Sequence, residues 1–233
     1  MTGARGNPRR RWRVNGLLQP GTRMSRHVKL LACAAALLAA APLAAQTQRE
    51  TAVLAGGCFW GIQNLFEHVN GVTLAVAGYA GGTSATASYD QVSSESTGHA
   101  ESVEITFDPR VVSYEQLLDV FFSVGHDPTE LNRQGPDVGP SYRSAIFYMN
   151  DGQRKVAESV IARLTAAHAY SRPIVTQVVP FGGFWRAEEY HQDFATKNPH
   201  YPYIVINDLP KVEHLREKFP QLYREMPVLT SSR

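Results

Sequence analysis

A thiol and a carboxylic acid are the two groups of this chain that sit where chemistry could be done. Cys58 stands in Gly56-Gly57-Cys58-Phe59-Trp60-Gly61, between a short apolar run, Thr51 to Ala55, and a helical pattern carrying Ile62, Leu65, Phe66 and Val69. That spacing puts the sulfur where a strand gives way to a helix. Unpaired N–H groups and the positive dipole end of a helix start favour an anion, so the expectation is a thiol that ionises more readily than a free cysteine. Two glycines ahead of it allow close backbone approach, and two aromatics after it could wall an apolar pocket. The bland alternative is a buried cysteine that merely packs, a common fate of isolated thiols.

The carboxyl group comes from a strand. Residues Glu101 to Phe107 alternate strictly, with Val103, Ile105 and Phe107 facing one way and Ser102, Glu104 and Thr106 the other. Glu101 shares parity with the apolar set, so it points into the core unless it lies at the strand end and reaches water. An inward carboxyl is costly when ionised, and burial raises its pKa. Beside a thiolate such a group would serve as a proton donor.

The elements that must position these two residues follow in order. A strand and a helix around Cys58 lead to a second strand, Val72 to Ala77, then to a Gly/Ser/Thr-rich loop from Gly78 to Gly98 whose length suggests function. After Glu101 to Phe107, Asp108-Pro109 ends the strand, and Ser113 with Gln116 forms a capping-box start for a helix through Leu117, Leu118, Phe121 and Phe122. A strand from Arg143 to Met149 and a helix from Gln153 to His168 complete a β-α-β-β-α-β order. The fold class expected is α+β, a two-layer ferredoxin-like α/β sandwich. Extra elements are a strand at Pro173 to Val179 and a short helix at Glu188 to Thr196. Residues 198 to 233, punctuated by Pro199, Pro202, Pro210 and Pro220, form a C-terminal wrap rather than a second domain.

Ahead of this domain, Leu30 to Ala45 is an apolar run preceded by Arg26 and Lys29 and closing in small residues, the pattern of a secretory signal. The expected organisation is therefore a non-native extension at 1–23 ahead of Met24, a signal at 24–45 and a catalytic domain at 46–233, exported to the periplasm. Cys33 in Leu30-Leu31-Ala32-Cys33 resembles a lipoprotein box, but most of the apolar stretch follows it, so no stable membrane anchor is expected after cleavage. Residues 1–45 hold eight of the 23 Lys and Arg and none of the 21 Asp and Glu, which leaves 15 basic against 21 acidic side chains in the rest. The formal charge of +2 thus belongs to the leader, and no basic stripe remains to suggest nucleic acid or an anionic membrane as partner. Cys58 would stand without a disulfide partner in an oxidising compartment.

Several segments now form a pattern: Gly57-Cys58-Phe59-Trp60-Gly61, Gly78-Tyr79-Ala80-Gly81-Gly82, Thr97-Gly98-His99-Ala100-Glu101, His126-Asp127-Pro128-Thr129, Leu131-Asn132-Arg133-Gln134-Gly135, Tyr142-Arg143-Ser144-Ala145 and Ala187-Glu188-Glu189-Tyr190-His191. From about Val53 to Pro199 the chain resembles the peptide-methionine (S)-S-oxide reductases. The resemblance implies reduction of methionine S-sulfoxide, free or in proteins, with Cys58 as nucleophile and Glu101 as acid. Tyr89 and Tyr142 are implied donors to the sulfoxide oxygen, Phe59 and Trp60 the pocket for the S-methyl group, and Asp137 a further substrate-site residue. Taken without the motif, either tyrosine would be read as structural, and Asp137 as a turn residue beside Pro136.

The pattern departs from many relatives in one respect. No cysteine follows Cys58, neither in Asn198-Pro199-His200-Tyr201-Pro202-Tyr203 nor in Gln91-Val92-Ser93-Ser94. A sulfenic acid on Cys58 would need an external reductant, a thioredoxin-like or glutaredoxin-like protein or a small thiol. No bound cofactor is expected, nor a metal at His99, His126 or His191, whose spacing matches no metal motif. The subunit is expected to be a monomer. Two other classes compete: a cysteine hydrolase with His99 or His191 as base, and a protein that binds oxidised methionine without turning it over.

Overall fold

The computed structural model describes residues 49–230, which lie within the second of two compact units, Thr47–Arg233. The extension, the signal and Cys33 lie outside the described residues. Strand β1 (Glu50–Gly56) leads into helix α1 (Phe59–Glu67), then β2 (Val72–Ala80), one helical turn α2 (Tyr89–Val92), β3 (Ala100–Phe107) and α3 (Tyr114–Val120). The two-residue strands β4 (Arg133–Gln134) and β5 (Asp137–Val138) pair with each other ahead of β6 (Ser144–Tyr148) and α4 (Asp151–Ala166). Strands β7 (Gln177–Pro180) and β8 (Phe184–Arg186) and helices α5 (Phe194–Lys197), α6 (Pro202–Asn207) and α7 (Leu209–Lys218) follow. Among the described residues no helix is long and apolar enough to cross a membrane.

One six-stranded sheet, ordered β7-β6-β1-β3-β2-β8, organises the unit. Its pairs are antiparallel except β6 with β7. The four inner strands, with α1 joining β1 to β2 and α3 lying between β3 and β6, follow the split β-α-β connection that the order of elements predicts. Registers Leu54↔Val103 and Ala75↔Ile105 align one apolar face. That face packs under Ile62, Leu65 and Phe66 of α1 and Leu117 and Leu118 of α3 in the main core. Truncating one such fully buried leucine, Leu65→Ala, would cost roughly 2–5 kcal/mol through lost burial and the void left behind. The opposite face carries a smaller cluster, Val53, Ala55, Ala80, Ala100, Ala145 and Phe147, covered by Phe181 and Phe184.

Local signals explain where elements start. Ser113 and Gln116 form the reciprocal capping box, Gln116 N–H to Ser113 Oγ at 3.1 Å and Ser113 N–H to Gln116 Oε1 at 2.9 Å. Asn150 caps α4 by accepting the Gln153 N–H at 2.9 Å.

The structure differs from the sequence reading in four places. Strand β2 runs on to Ala80, so the long loop begins at Gly81 and contains α2. The strand placed at Pro173 to Val179 occupies Gln177–Pro180, where the chain pairs with β6. The three-residue β8 was not anticipated, being too short to show a period. The helix expected over Glu188 to Thr196 is broken in two, because Asp193 adopts a left-handed φ of 54°. There its N–H donates to Gln63 Oε1 (3.0 Å) and its carboxylate accepts the N–H of Thr230 (2.9 Å), contacts a continuous helix would forbid. The C-terminal wrap, as far as Thr230, carries helices α6 and α7.

Candidate active site

The strand-to-helix turn places the thiol. Gly57 takes φ +91°, a conformation that strains side-chain-bearing residues, and an added Cβ would lie 2.6 Å from Gln134 Cβ. Cys58 is then the residue that begins α1, with extended φ and ψ of −52° and 124°. Gly61, a turn further on, lets the buried Asp208 pass close to the helix; a Cβ there would come within 2.0 Å of Asp208 Oδ1.

Glu101 is brought to the same helix start. The β2–β3 register sets it across from Tyr79, and its carboxyl Oε2 accepts the backbone N–H of Phe59 at 2.9 Å. It is 4% exposed, which settles the strand-end alternative in favour of burial. Desolvation pushes its pKa up to about 8, opposed by the Phe59 N–H and aided by the charges of Asp137, Glu95 and Asp208. The group therefore carries its proton through neutral pH.

The thiol behaves otherwise than the helix position alone suggests. Cys58 keeps an accessible edge, yet desolvation holds its pKa well above the ordinary value, with further upward pushes from Glu101 and Asp208 and only the Trp60 N–H pulling it down. The expectation of a readily ionised thiol is thus corrected. The helix is short, one of its free N–H groups is taken by Glu101, and three carboxyl groups surround the sulfur. Because Glu101 is protonated at neutral pH, one of the charges that oppose the thiolate is removed there.

The tyrosines named by sequence do converge. Tyr142 and Tyr89 both have raised pKa values, caused first by burial and next by the charge of Glu101, with Cys58 and Asp137 contributing to each. The Tyr142 hydroxyl has no hydrogen-bond partner among the described residues. Its turn is anchored by Glu95, whose carboxylate accepts the Ser141 N–H (2.8 Å) and Oγ–H (2.7 Å). Arg143 then clamps that turn to the start of β3 by donating to the carbonyls of Gly98 and His99, each at 3.0 Å. Tyr89 opens α2, where Glu188 accepts its N–H at 2.9 Å while also accepting the Tyr79 hydroxyl at 2.9 Å.

The aromatic residues divide into two layers. Phe59 is 1% exposed, with its ring against Tyr79 and His191, so it supports the site from below and offers little surface to a ligand. Trp60 is partly exposed, stacks on Phe194 at 3.9 Å between ring centres, and donates its indole N–H to His191 Nδ1 at 3.1 Å. The ring of His191 lies 4.6 Å from that of Tyr89, and so it ties the two exposed aromatic walls together. Asp137, half-buried on β5, accepts the hydroxyl of Tyr203.

Sequence reading missed Tyr203, Asp208, Glu188 and the role of His191. Tyr201-Pro202-Tyr203 carries no apolar period that would say which tyrosine turns inward. Pro202 at the start of α6 was the available signal. The histidines hold structure: His99 bonds Thr83 O (3.0 Å) and accepts from Gly82 N–H (3.3 Å), and His126 bonds Phe121 O (3.1 Å) and Ser144 Oγ (2.7 Å). Nothing places His99 or His191 as a base on Cys58, as a hydrolase would need. Among the described residues no three His, Cys, Asp or Glu side chains group to hold a metal.

A nucleophilic sulfur, a neutral acid, two phenol donors and an apolar wall can transfer an oxygen atom from a polarised S–O bond to sulfur. Comparison with known proteins points the same way. The family profile described as peptide methionine sulfoxide reductase matches residues 50–223. The chain is 58% identical over 183 residues to peptide methionine sulfoxide reductase MsrA 2 of Mesorhizobium japonicum, covering 78% of this chain and 94% of that one. It is 52% identical over 170 residues to the protein of the same name from Synechocystis, covering 73% and 79%. Among solved structures it is similar to reduced Mxr1 of Saccharomyces cerevisiae, with a TM-score of 0.62, 32% identity and coverage of 67% and 89%. Methionine sulfoxide reductase A of Corynebacterium diphtheriae gives 0.58 and 33%, covering 68% and 80%.

Proposed function

The chain belongs to the peptide methionine sulfoxide reductase family, and from that premise we propose how its residues reduce the sulfoxide and what becomes of the oxygen. The enzyme converts methionine sulfoxide to methionine. In our reading Cys58 sulfur attacks the sulfoxide sulfur while Glu101 gives its proton to the oxygen, and Tyr89 and Tyr142 donate to that oxygen as its negative charge grows. The S–O bond breaks and the oxygen leaves as water with the Glu101 proton and the thiol's own. Water then attacks the Cys58 sulfur, the S–S bond breaks with its electron pair going to methionine, one proton returns to Glu101, and Cys58 is left as sulfenic acid. Trp60 and Tyr89, held by His191, form the wall for the S-methyl group, and Phe59 backs them. Asp137, with Tyr203 donating to it, positions the substrate side of the pocket. The preferred epimer is the S-sulfoxide.

The observation that carries this reading is the buried Glu101, protonated to about pH 8 and bonded to the helix start that Cys58 begins. Cys58 is the one cysteine among the described residues. Regeneration is therefore intermolecular: one thiol converts the sulfenic acid to a mixed disulfide and water, and a second releases Cys58 as the reductant is oxidised. A thioredoxin-like or glutaredoxin-like protein or a small thiol fills this part. The signal-like leader supports work in the periplasm on exported proteins. Release of methionine from its S-sulfoxide in the presence of dithiothreitol tests the whole reading. A hydrolase would instead acylate on esters, and a binding protein would hold the sulfoxide unchanged.

A further inference from the structure

We propose that a second chamber beside Cys58 seats the reductant, a low-molecular-weight thiol bearing carboxylate groups, and that one face of α7 draws it in. This rests on the reading of Cys58 as the sulfur that becomes sulfenic acid. The chamber has a volume of about 440 Å³ and is lined by Cys58 and Asp137 but by none of Glu101, Tyr89, Tyr142, Phe59 or Trp60. The chamber thus opens beside Cys58 without touching the acid or the aromatic wall, and it meets the substrate side of the pocket only at Asp137 and Tyr203. A volume of this size suits a molecule of small-peptide dimensions.

The charge of the chamber gives the class of ligand. Lys211, His214 and Lys218 all line it, at i, i+3 and i+7 of one helix and so along one stripe, while the acidic Glu213 and Glu217 of α7 do not. Lys211 is committed to Asp208 Oδ1 at 2.8 Å and to the carbonyl of Asn207 at 2.6 Å. Lys218 donates to the Ser123 carbonyl at 3.2 Å and pairs with no carboxylate among the described residues. His214 is exposed at the same rim. Asp137 is the one acidic residue of the lining, and Tyr203 already donates to it. An anionic thiol would meet the Lys218 ammonium and the ring N–H of His214 at the mouth and the sulfenic acid at the base.

The chemistry balances without any other reagent. A thiol attacks the sulfur of Cys58 sulfenic acid, the S–S bond forms as the S–O bond breaks, and the oxygen leaves as water carrying its own proton and the thiol's. A second thiolate attacks the ligand sulfur of that mixed disulfide and frees the Cys58 thiolate. Two thiols together supply the two electrons that the methionine sulfoxide consumed.

The test separates the two half-reactions. Enzyme is mixed with one equivalent of methionine S-sulfoxide and no reductant, the methionine released is measured, and the oxidised enzyme is then mixed rapidly with mercaptosuccinate or with neutral 2-mercaptoethanol. We expect the rate of sulfenic acid loss to saturate with mercaptosuccinate and to stay linear with 2-mercaptoethanol. In a His214→Glu/Lys218→Glu double variant the low-concentration rate with mercaptosuccinate should fall about ten-fold, with the methionine yield and the 2-mercaptoethanol rate unchanged. Linear dependence on both thiols in the parent enzyme would overturn the proposal, as would equal slowing of both in the variant or reduction by a protein thiol alone. No methionine in the first mixing would instead sink the reading on which it stands.

Discussion

The carboxyl of Glu101 accepts the backbone N–H of Phe59 at 2.9 Å, so the acid is bonded to the residue that follows the nucleophile. Acid and thiol thereby share the first turn of α1, with the Phe59 N–H serving Glu101 and the Trp60 N–H serving the sulfur. Any shift of that turn moves both groups together, which in the proposed mechanism keeps proton donor and nucleophile in step.

Replacing Cys58 by Ser should lower sulfoxide reduction by more than ~10³-fold, because a hydroxyl is a far weaker nucleophile here. Thermal melts and circular dichroism should match the parent. Mass spectrometry of the parent after one sulfoxide equivalent should find one added oxygen on Cys58. Turnover by the serine variant would remove Cys58 from its role.

Glu101→Gln keeps an acceptor for the Phe59 N–H but has no proton to give, so kcat at pH 7 should fall by about 10²-fold. The parent profile has a defined sign. The neutral acid is present below a pKa of about 8, so kcat should decline as pH rises through that value. The glutamine variant should lack this limb; a limb that persists would assign it to another group.

Tyr142→Phe and Tyr89→Phe each delete one donor to the growing negative oxygen. Each should lower kcat by roughly 10-fold with a smaller change in KM, since the bond strengthens in the transition state. An effect on KM alone would make the tyrosines binding groups and leave Glu101 as sole donor.

A second buried carboxyl governs stability. Glu67 is fully buried, and desolvation together with Asp193 raises its pKa to about 9. Its folded pKa exceeds the unfolded one, so the folded state holds a proton that the unfolded chain releases. The stability this confers is present at acid pH and is lost as pH climbs from about 4.5 through about 9. Glu67→Gln imitates the protonated form. Urea unfolding should show the variant near parent stability at pH 5 and about 2 kcal/mol more stable at pH 9. A variant less stable at both would deny that Glu67 is protonated in the fold.

Much of this was readable in the chain. The parity of Glu101 with Val103, Ile105 and Phe107 places the carboxyl inward, and the register confirms it because a period of two leaves no other face. Glycines flanking Cys58 mark the turn that Gly57 needs. The thiol's pKa was misjudged for a plain reason: the dipole is local and visible in sequence, whereas Asp208 and Asp137 arrive from 150 and 79 residues away by fold alone. Glu188 and His191 were equally hidden, since their work is done on Tyr89 and Trp60 across the sheet edge. Asp193 broke a helix that propensity favoured, through bonds to Gln63 and Thr230 that only tertiary structure supplies.

The wrap beyond Asn198 gives the order of assembly a meaning. Tyr203 reaches Asp137, Asp208 packs on Gly61, and Thr230 bonds Asp193, so segments translated last complete surroundings begun at residue 57. On an emerging polypeptide the sulfur would stand beside a sheet without its electrostatic cage. The surroundings of that sulfur are thus complete only once the segment beyond Asn198 has packed.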